Sequence, residues 1–306
     1  MKRVVITGGS GFVGANLARW LCAAGHEVHV LLRAEHQAWR LAGMDATQHI
    51  VDLGNADALS GLMRELTPQW YFNLAAYGAY SDQQGLAQMT QVNVLNTANL
   101  LEAAQATGLE AFVHAGSSSE YGFQPAPASE TTCPVPNSDY AVTKLAATTL
   151  CVSRAHAAQL PVRVLRLYSV YGPWETATRL MPTLAERALA GELPPMADPR
   201  TARDFVYVDD VCAAFVAATN PALPAGAIFN IGSGVETTLA SLIETVRETA
   251  GLTVEPEWAA YPNRAWDTAS WRANPNYARD VLGWEAKISV AEGFSRTMAW
   301  LQSRQV

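Results

Sequence analysis

Val4-Val5-Ile6-Thr7-Gly8-Gly9-Ser10-Gly11-Phe12-Val13-Gly14 is the stretch that decides the fold. The apolar run from Arg3 to Ile6 is strand-sized, the glycines are spaced as a tight turn, and a helical pattern, Ala15–Ala24, follows at once. Strand, glycine-rich turn and helix in that order provide the geometry a dinucleotide pyrophosphate needs. Gly8 permits the sharp turn, Gly11 lets the backbone approach phosphate oxygens, and Gly14 lets the helix lie close to the sheet. The helix start adds unpaired N–H groups and a partial positive charge. Such triplets also arise in surface turns; the strand before and the helix after single this one out. Ser10 and Phe12 lie in the same turn and are expected to contact the cofactor with Gly8, Gly11 and Gly14.

Composition bounds the rest. A chain of 306 residues, 49% of them apolar, can bury one large core, or one core with a smaller lobe. A net charge of −7 without a long basic run points away from nucleic acid. Cys22, Cys133, Cys151 and Cys212 are widely spaced and form no CxxC pair. They read as small core residues in a reducing compartment, with neither a disulfide frame nor a metal site. No apolar run reaches membrane-spanning length, and with a strand beginning at Arg3 no leader peptide is expected. The expectation is a cytoplasmic protein with no membrane partner.

Outward from the first strand, Val28–Leu32, His49–Val51, Trp70–Leu74, Ala111–Ala115 and Val162–Leu167 read as further strands. Helical patterns at 57–66, 86–106 and 140–159 lie between them. Strands alternating with helices imply parallel pairing by right-handed crossovers, hence an α/β fold with a doubly wound parallel (Rossmann) sheet. Past Gly172, prolines loosen the pattern around a helix near 183–190. A strand near 227–231, a helix at 239–250 and a closing helix after Ser289 follow. We expect residues 1–172, with a returning segment near 203–232, to form the nucleotide domain. Residues 173–202 and 233–306 are expected to form a smaller mixed α/β substrate lobe.

Tyr140-Ala141-Val142-Thr143-Lys144 carries the second signal. A spacing of four on a helix puts Tyr140 and Lys144 on one face, a turn apart. A free phenol, with a pKa of about 10, is a poor proton carrier at neutral pH. A neighbouring ammonium lowers that value and makes Tyr140 a usable acid or base. An exposed Tyr and Lys on a helix are common, and it is the nucleotide turn upstream that favours the catalytic reading. Ser117-Ser118-Ser119, at the end of the strand 111–115, offers a hydroxyl to the oxygen that Tyr140 protonates; serine clusters also form turns.

With these motifs in view, the chain resembles the extended short-chain dehydrogenase/reductase family, in its nucleotide-sugar epimerase, dehydratase and reductase branch. The resemblance covers nearly the whole chain. It rests on TGGSGFVG (7–14), YAVTK (140–144) and GSSSEYG (116–122). LRLYSVYGP (165–173), RDFVYVDD (203–210), FNIGSG (229–234) and LGWEAKIS (282–289) add to it. It implies Tyr140 as acid/base, with Lys144 as its activator and ribose ligand, and a catalytic hydroxyl at Ser117, with Ser118 one residue away as competitor. It further implies Asn93 as a residue that shapes the site, Asp52 and Leu53 beside adenine, and Ala75 in the stretch against the cofactor's phosphate and ribose. Arg203 and Arg264 would grip the substrate diphosphate, a role suited to arginine's planar fork; a surface ion pair is an equal alternative for Arg264. Ser169 stands where the family often has asparagine. Aromatic residues of the second lobe (Trp174, Tyr261, Trp266) are candidates for lining a sugar pocket. Members commonly pair through two helices per subunit, here 86–106 and 140–159, so a homodimer is implied.

Cofactor choice turns on the end of the second strand. A carboxylate there binds the adenosine 2′-hydroxyl, whereas this chain reads Leu32-Arg33. With no carboxylate to repel a 2′-phosphate and Arg33 placed to pair with it, NADP(H) is expected over NAD. Three reactions share the chemistry of hydride transfer coupled to proton transfer through Tyr140. The first reading is NADP(H)-dependent reduction of a 4-keto nucleotide-diphosphate sugar, 6-deoxy forms included. The alternatives are 4-epimerisation and 4,6-dehydration, and, from another class, a regulator that binds cofactor without turnover. Glu120 lies one place later than a dehydratase of this branch would have its acid, which argues against dehydration.

Overall fold

The computed structural model describes residues 1–34, 38–80, 82–260 and 270–304. Its centre is a seven-stranded sheet in the order β10-β6-β5-β4-β1-β2-β3. The strands are β1 (Arg3–Thr7), β2 (Glu27–Leu32), β3 (Ala46–Ile50), β4 (Trp70–Asn73), β5 (Ala111–Ser117), β6 (Val162–Leu167) and β10 (Ile228–Ile231). Every pairing in it is parallel; Ile6 of β1 sits opposite Val30 on one side and Phe72 on the other. Order reverses between β1 and β4, and the crevice at such a switch point is where ligands bind.

The strands read as continuous apolar runs because both faces are covered. Val4 and Ile6 point to one side, into a core shared with α1 (Phe12–Ala23), α7 (Val208–Ala217), Phe229 and Ile231. Val5 points to the other, into a core with Leu59 and Met63 of α2 (Ala56–Leu66) and Leu100 and Leu101 of α4 (Asn96–Gln105). β3 begins earlier than the expected 49–51. As the sheet's edge its residues are half-buried or exposed, so it carries polar residues that mask a strand in the sequence.

The expected continuous helix 86–106 is three pieces: α3 (Leu86–Met89), a π-helical turn (Thr90–Leu95) and α4. Such turns insert one extra residue and occur often at functional sites; this one holds Asn93. α5 (Asp139–Ala157) starts at a Ser138 cap that accepts the Ala141 N–H and carries Tyr140 in its first turn.

A third core joins Tyr171 of β7 (Ser169–Tyr171), Leu184 of α6 (Leu180–Leu189), Phe205 and Tyr207 of β9 (Phe205–Tyr207), Leu242 and Val246 of α8 (Leu239–Ala250) and Phe294 of α9 (Val290–Arg304). β7 pairs with β9, and β8 (Ala202–Arg203) with β11 (Thr237–Thr238). Ala278, Leu282 and Trp284 pack into the first core, with β1 and α7. The cysteines do not all sit where expected. Cys151 and Cys212 are buried, but Cys22 is half-buried and Cys133 exposed on the polar loop before α5; all are free thiols. Among the described residues no helix is long and apolar enough to cross a membrane.

Candidate active site

The glycine turn is built as a phosphate cradle. Gly8 has φ +68°, and a Cβ there would stand 2.5 Å from the Leu74 carbonyl; one on Gly14 would be 2.3 Å from Gly8 O. Both positions therefore admit only glycine. At Gly11 the nearest atom to an added Cβ is Gly8 O at 3.1 Å. The Gly11 N–H donates to Gly8 O, and the helical ladder begins with Ala15 N–H to Gly11 O. No side chain caps α1, which leaves its first N–H groups for a ligand. These features fit a dinucleotide pyrophosphate. Ser10 is buried and Phe12 half-buried in the same turn, and Ala75 lies across from Gly8.

Asn16 and Arg40, which the sequence reading missed, tie this turn to a distant loop. Asn16 Nδ2 donates to Phe12 O and to Pro173 O, at 3.0 and 2.9 Å. Arg40 Nε donates to Trp174 O at 2.7 Å, and its other nitrogens reach Ser10 O and Thr176 Oγ1. Only their position in the folded chain marks them, since neither belongs to a motif.

Around the switch point, Leu32 is buried and Arg33 exposed at the end of β2. Asp52 is exposed and its carboxylate accepts the Gly54 N–H, while Asn99 donates to Leu53 O at 2.9 Å. These contacts fix the loop in which Asp52 and Leu53 stand. Asn93 is 1% exposed. Its amide takes the Tyr77 N–H and gives to Tyr77 O and Thr143 Oγ1, binding the loop after β4 to α5.

Tyr140 is half-buried on α5 with its phenol near the Ser117 side chain. Burial pushes its phenol up to about 12; the Ser117 hydroxyl nearby and the charge of Arg179 pull the other way. This departs from the expected lowering, because burial outweighs any neighbouring charge. Lys144 is 2% exposed and donates from Nζ to Ala115 O at 2.6 Å; burial lowers its pKa and Glu120 opposes that shift. The two candidate serines part company. Ser117 faces Tyr140, whereas Ser118 Oγ accepts the Trp271 indole N–H at 3.1 Å.

Glu120 lies behind this group, with no exposure. Its oxygens accept from Ser117 N–H, Thr148 Oγ1 and Arg166 Nε at 2.8, 2.9 and 2.8 Å. It holds the short 3-10 turn Ser118–Tyr121 in place through a capping box with Ser117.

The opposite wall comes from the loops after β4 and β7. Tyr80 Oη lies 3.3 Å from Thr176 Oγ1, and the Arg179 guanidinium lies 5.5 Å from the centre of the Tyr80 ring. Ser169 is half-buried on β7, its N–H donating to Asp204 O. Arg203 is half-buried on β8 and donates to Ala202 O at 2.8 Å. The next residue, Asp204, is buried and accepts from Ser233 N–H, Ser233 Oγ, Gly234 N–H and Ala273 N–H, pinning the FNIGSG segment beside it. Arg264, Tyr261 and Trp266 lie outside the described residues.

A parallel sheet with a phosphate turn at β1 and a Tyr–Ser–Lys group at β5 and α5 defines the extended short-chain dehydrogenase/reductase class. The family model of the NAD dependent epimerase/dehydratase family matches residues 4–232, and the chain belongs to that family. It is similar to the UDP-glucose 4-epimerase of Mycolicibacterium smegmatis, 34% identical over 99% of each chain. It is also similar to the GDP-6-deoxy-D-mannose reductase of Pseudomonas aeruginosa, 32% identical over 83% of this chain and 82% of the other. Among solved structures, the Thermus thermophilus UDP-glucose 4-epimerase in complex with NAD is 30% identical, with a TM-score of 0.86 over 98% and 99% of the two chains. The chain is thus an NAD(P)-dependent enzyme of the nucleotide-sugar oxidoreductase and epimerase type.

Proposed function

We propose that the chain is a nucleotide-sugar 4-epimerase, with Tyr140 as the proton carrier. The observation that carries this is Tyr140 held against Ser117, with Lys144 one turn along the same helix. When bound, the nicotinamide supplies the acceptor and donor of hydride at the sugar carbon. Tyr140 takes the proton from the sugar hydroxyl and returns it, and Ser117 hydrogen-bonds the same oxygen. Lys144, already aimed at the sheet end by Ala115 O, holds ribose hydroxyls and stabilises the phenolate. Elimination of water needs a further free carboxylate, and Glu120 is consumed by Arg166. The full-length similarity to a UDP-glucose 4-epimerase supports epimerisation over the reductase first read from the sequence. Reduction of a 4-keto sugar is the second reading, supported by the similarity to a GDP-6-deoxy-D-mannose reductase. In either case Arg203 and Ser169 are proposed substrate contacts, and the third core is taken as the substrate lobe's own.

A panel of UDP-, GDP- and dTDP-hexoses and their 4-keto forms separates the readings. Isomer exchange at C4 without net cofactor consumption is expected; stoichiometric loss of NADPH with a keto sugar would make the chain a reductase.

For the cofactor, we propose that NADP(H) is accepted at least as well as NAD(H). The end of β2, Leu32-Arg33, has no carboxylate, and Arg33 is solvent-exposed where a 2′-phosphate would lie. Arg33→Ala is expected to weaken NADP(H) about tenfold and to leave NAD(H) within a few-fold, by fluorescence titration. Equal loss for both cofactors would remove Arg33 from the 2′-position.

We also place the chain in the cytoplasm, consistent with its free cysteines, and propose a homodimer through α5. Val142 and Leu95 are 48% and 49% exposed, and Val94, Leu145, Ala146 and Leu150 line a shallow apolar groove beside them. Val142→Glu is expected to shift the species seen by light scattering from dimer to monomer without changing the melting temperature. A wild type that is already monomeric at micromolar concentration would refute the pairing.

A further inference from the structure

Glu175 stands in the loop between β7 and α6, with its side chain 7% exposed. Oε1 lies 3.7 Å from Arg179 Nε, longer than a hydrogen bond. Oε2 is buried and meets no hydrogen-bond partner among the described residues. Leaving a buried carboxyl oxygen unmet is costly, so a partner from outside the chain is called for.

The loop is also held under strain. Trp174 has φ +71°, a left-handed conformation that a bulky residue rarely adopts. Asn16 on Pro173 O, Arg40 on Trp174 O and Thr176, and the Arg19 guanidinium 3.7 Å over the Trp174 ring together keep it there. That conformation sets Glu175 between two guanidiniums: Arg40, which also reaches the phosphate turn at Ser10, and Arg179. Arg179 and Tyr80 are both close enough to Tyr140 to bias its proton, and the Tyr80 hydroxyl meets Thr176, the next residue along. Glu175 therefore stands behind Arg179 and next in sequence to the Thr176 that meets Tyr80, with one oxygen uncommitted; Arg179 and Tyr80 are the two side chains that act on Tyr140.

We propose that a hydroxyl of the substrate's hexose ring completes Glu175 Oε2, making Glu175 a sugar-contacting residue that determines specificity. This rests on the epimerase reading. An epimerase must let the oxidised sugar present its other face to the same cofactor. A single carboxyl that can donate or accept gives the ring a contact in either orientation.

Protonation sets the condition for that contact. Burial pushes the carboxyl up to about 8, against Arg179, the Gly172 backbone and Arg40, so it is neutral at pH 7. The groups facing it are Arg179 at the start of α6, Arg40 after β2 and the Gly172 backbone; Tyr80 after β4 acts on Arg40, and Tyr140 of α5 lies beyond Arg179. Once ionised the carboxyl has lost its O–H and can no longer donate to a sugar oxygen, and the Arg179 guanidinium, 3.7 Å from Oε1, competes for the charge. Sugar affinity is therefore present below that pKa and falls as the pH rises through it.

The test is KM and kcat for the best nucleotide sugar of the panel, on both sides of pH 8, for wild type, Glu175→Leu and Glu175→Gln. Glu175→Leu is expected to raise KM about tenfold, with a smaller effect on kcat and unchanged cofactor affinity. Glu175→Gln, which keeps shape and hydrogen bonding, should recover most of that loss and lack the alkaline rise in KM. Melting curves check that both variants fold. The sugar contact is overturned if KM is unmoved in Glu175→Leu, if cofactor affinity falls in its place, or if the glutamine and wild-type pH profiles coincide. A wild type inert to every nucleotide sugar overturns the epimerase reading and this inference together; an active wild type with unchanged variants overturns this inference alone.

Discussion

Tyr140→Phe is expected to lower turnover by roughly a hundred- to ten-thousand-fold while the protein keeps its fold and its cofactor. The substitution removes one oxygen, the one near Ser117, and leaves the ring on α5 unchanged. Burial pushes the phenol up and the Lys144 ammonium down, so both shifts favour a resting phenol that still carries its proton. The resting enzyme is thus ready to donate to a keto oxygen. Taking a proton from a sugar hydroxyl requires the phenol to ionise first, and that population grows with pH. Wild-type rate in the oxidising direction is therefore expected to climb with pH, and the residual rate of the phenylalanine variant to be flat. Steady-state kinetics with fluorescence titration of NADP(H) measures both. A variant within a few-fold of wild type would remove Tyr140 from the chemistry. Equal inertness of both proteins, with cofactor still bound, would favour a non-catalytic role.

Glu120→Ala should have the largest effect on stability, a loss of about 3–5 kcal/mol. The pair it breaks is fully enclosed: Glu120 has no exposure and the Arg166 side chain 3%. Without the carboxylate, Arg166 is left charged and buried without an ion-pair partner in contact, keeping the Tyr121 ring at 4.5 Å and the charge of Glu130 as attractive neighbours. The Ser117 N–H and the Thr148 hydroxyl lose their acceptor as well. Thermal unfolding should drop by roughly 10 °C for a chain of this size. Glu120→Gln keeps the two neutral hydrogen bonds through its amide oxygen and loses the charge and the Arg166 bond, since its NH2 cannot accept, so a smaller drop is expected. These measurements also separate scaffold from catalyst. If Glu120 were the acid of a dehydratase, the glutamine variant would lose elimination activity at unchanged melting temperature.

Local signals in the sequence proved sound wherever physics acts over a few residues. Steric demand at Gly8 and Gly14 is met within one turn, and the spacing of Tyr140 and Lys144 is fixed by helical pitch. Strands buried on both faces announce themselves as apolar runs. The weak points were those where environment overrides the local pattern. β3 is polar because it is an edge, Asn93 sits in a π-helical turn that leaves no mark in the apolar pattern, and Cys133 is exposed on a polar loop. The direction in which the Tyr140 phenol is shifted was likewise not legible, because desolvation depends on what the rest of the chain packs around it.

By itself, the sequence determined the sheet, the phosphate turn and the Tyr–Lys pair, since strand period, glycine sterics and helix pitch are properties of neighbouring residues. Only the tertiary structure decided which serine meets Tyr140, that Glu120 is spent on an arginine 46 positions along the chain, and that Glu175 is held with an unmet oxygen. Each of those outcomes depends on burial and on partners brought together by the crossovers of the sheet. Desolvation and long-range hydrogen bonding have no local period from which they can be read.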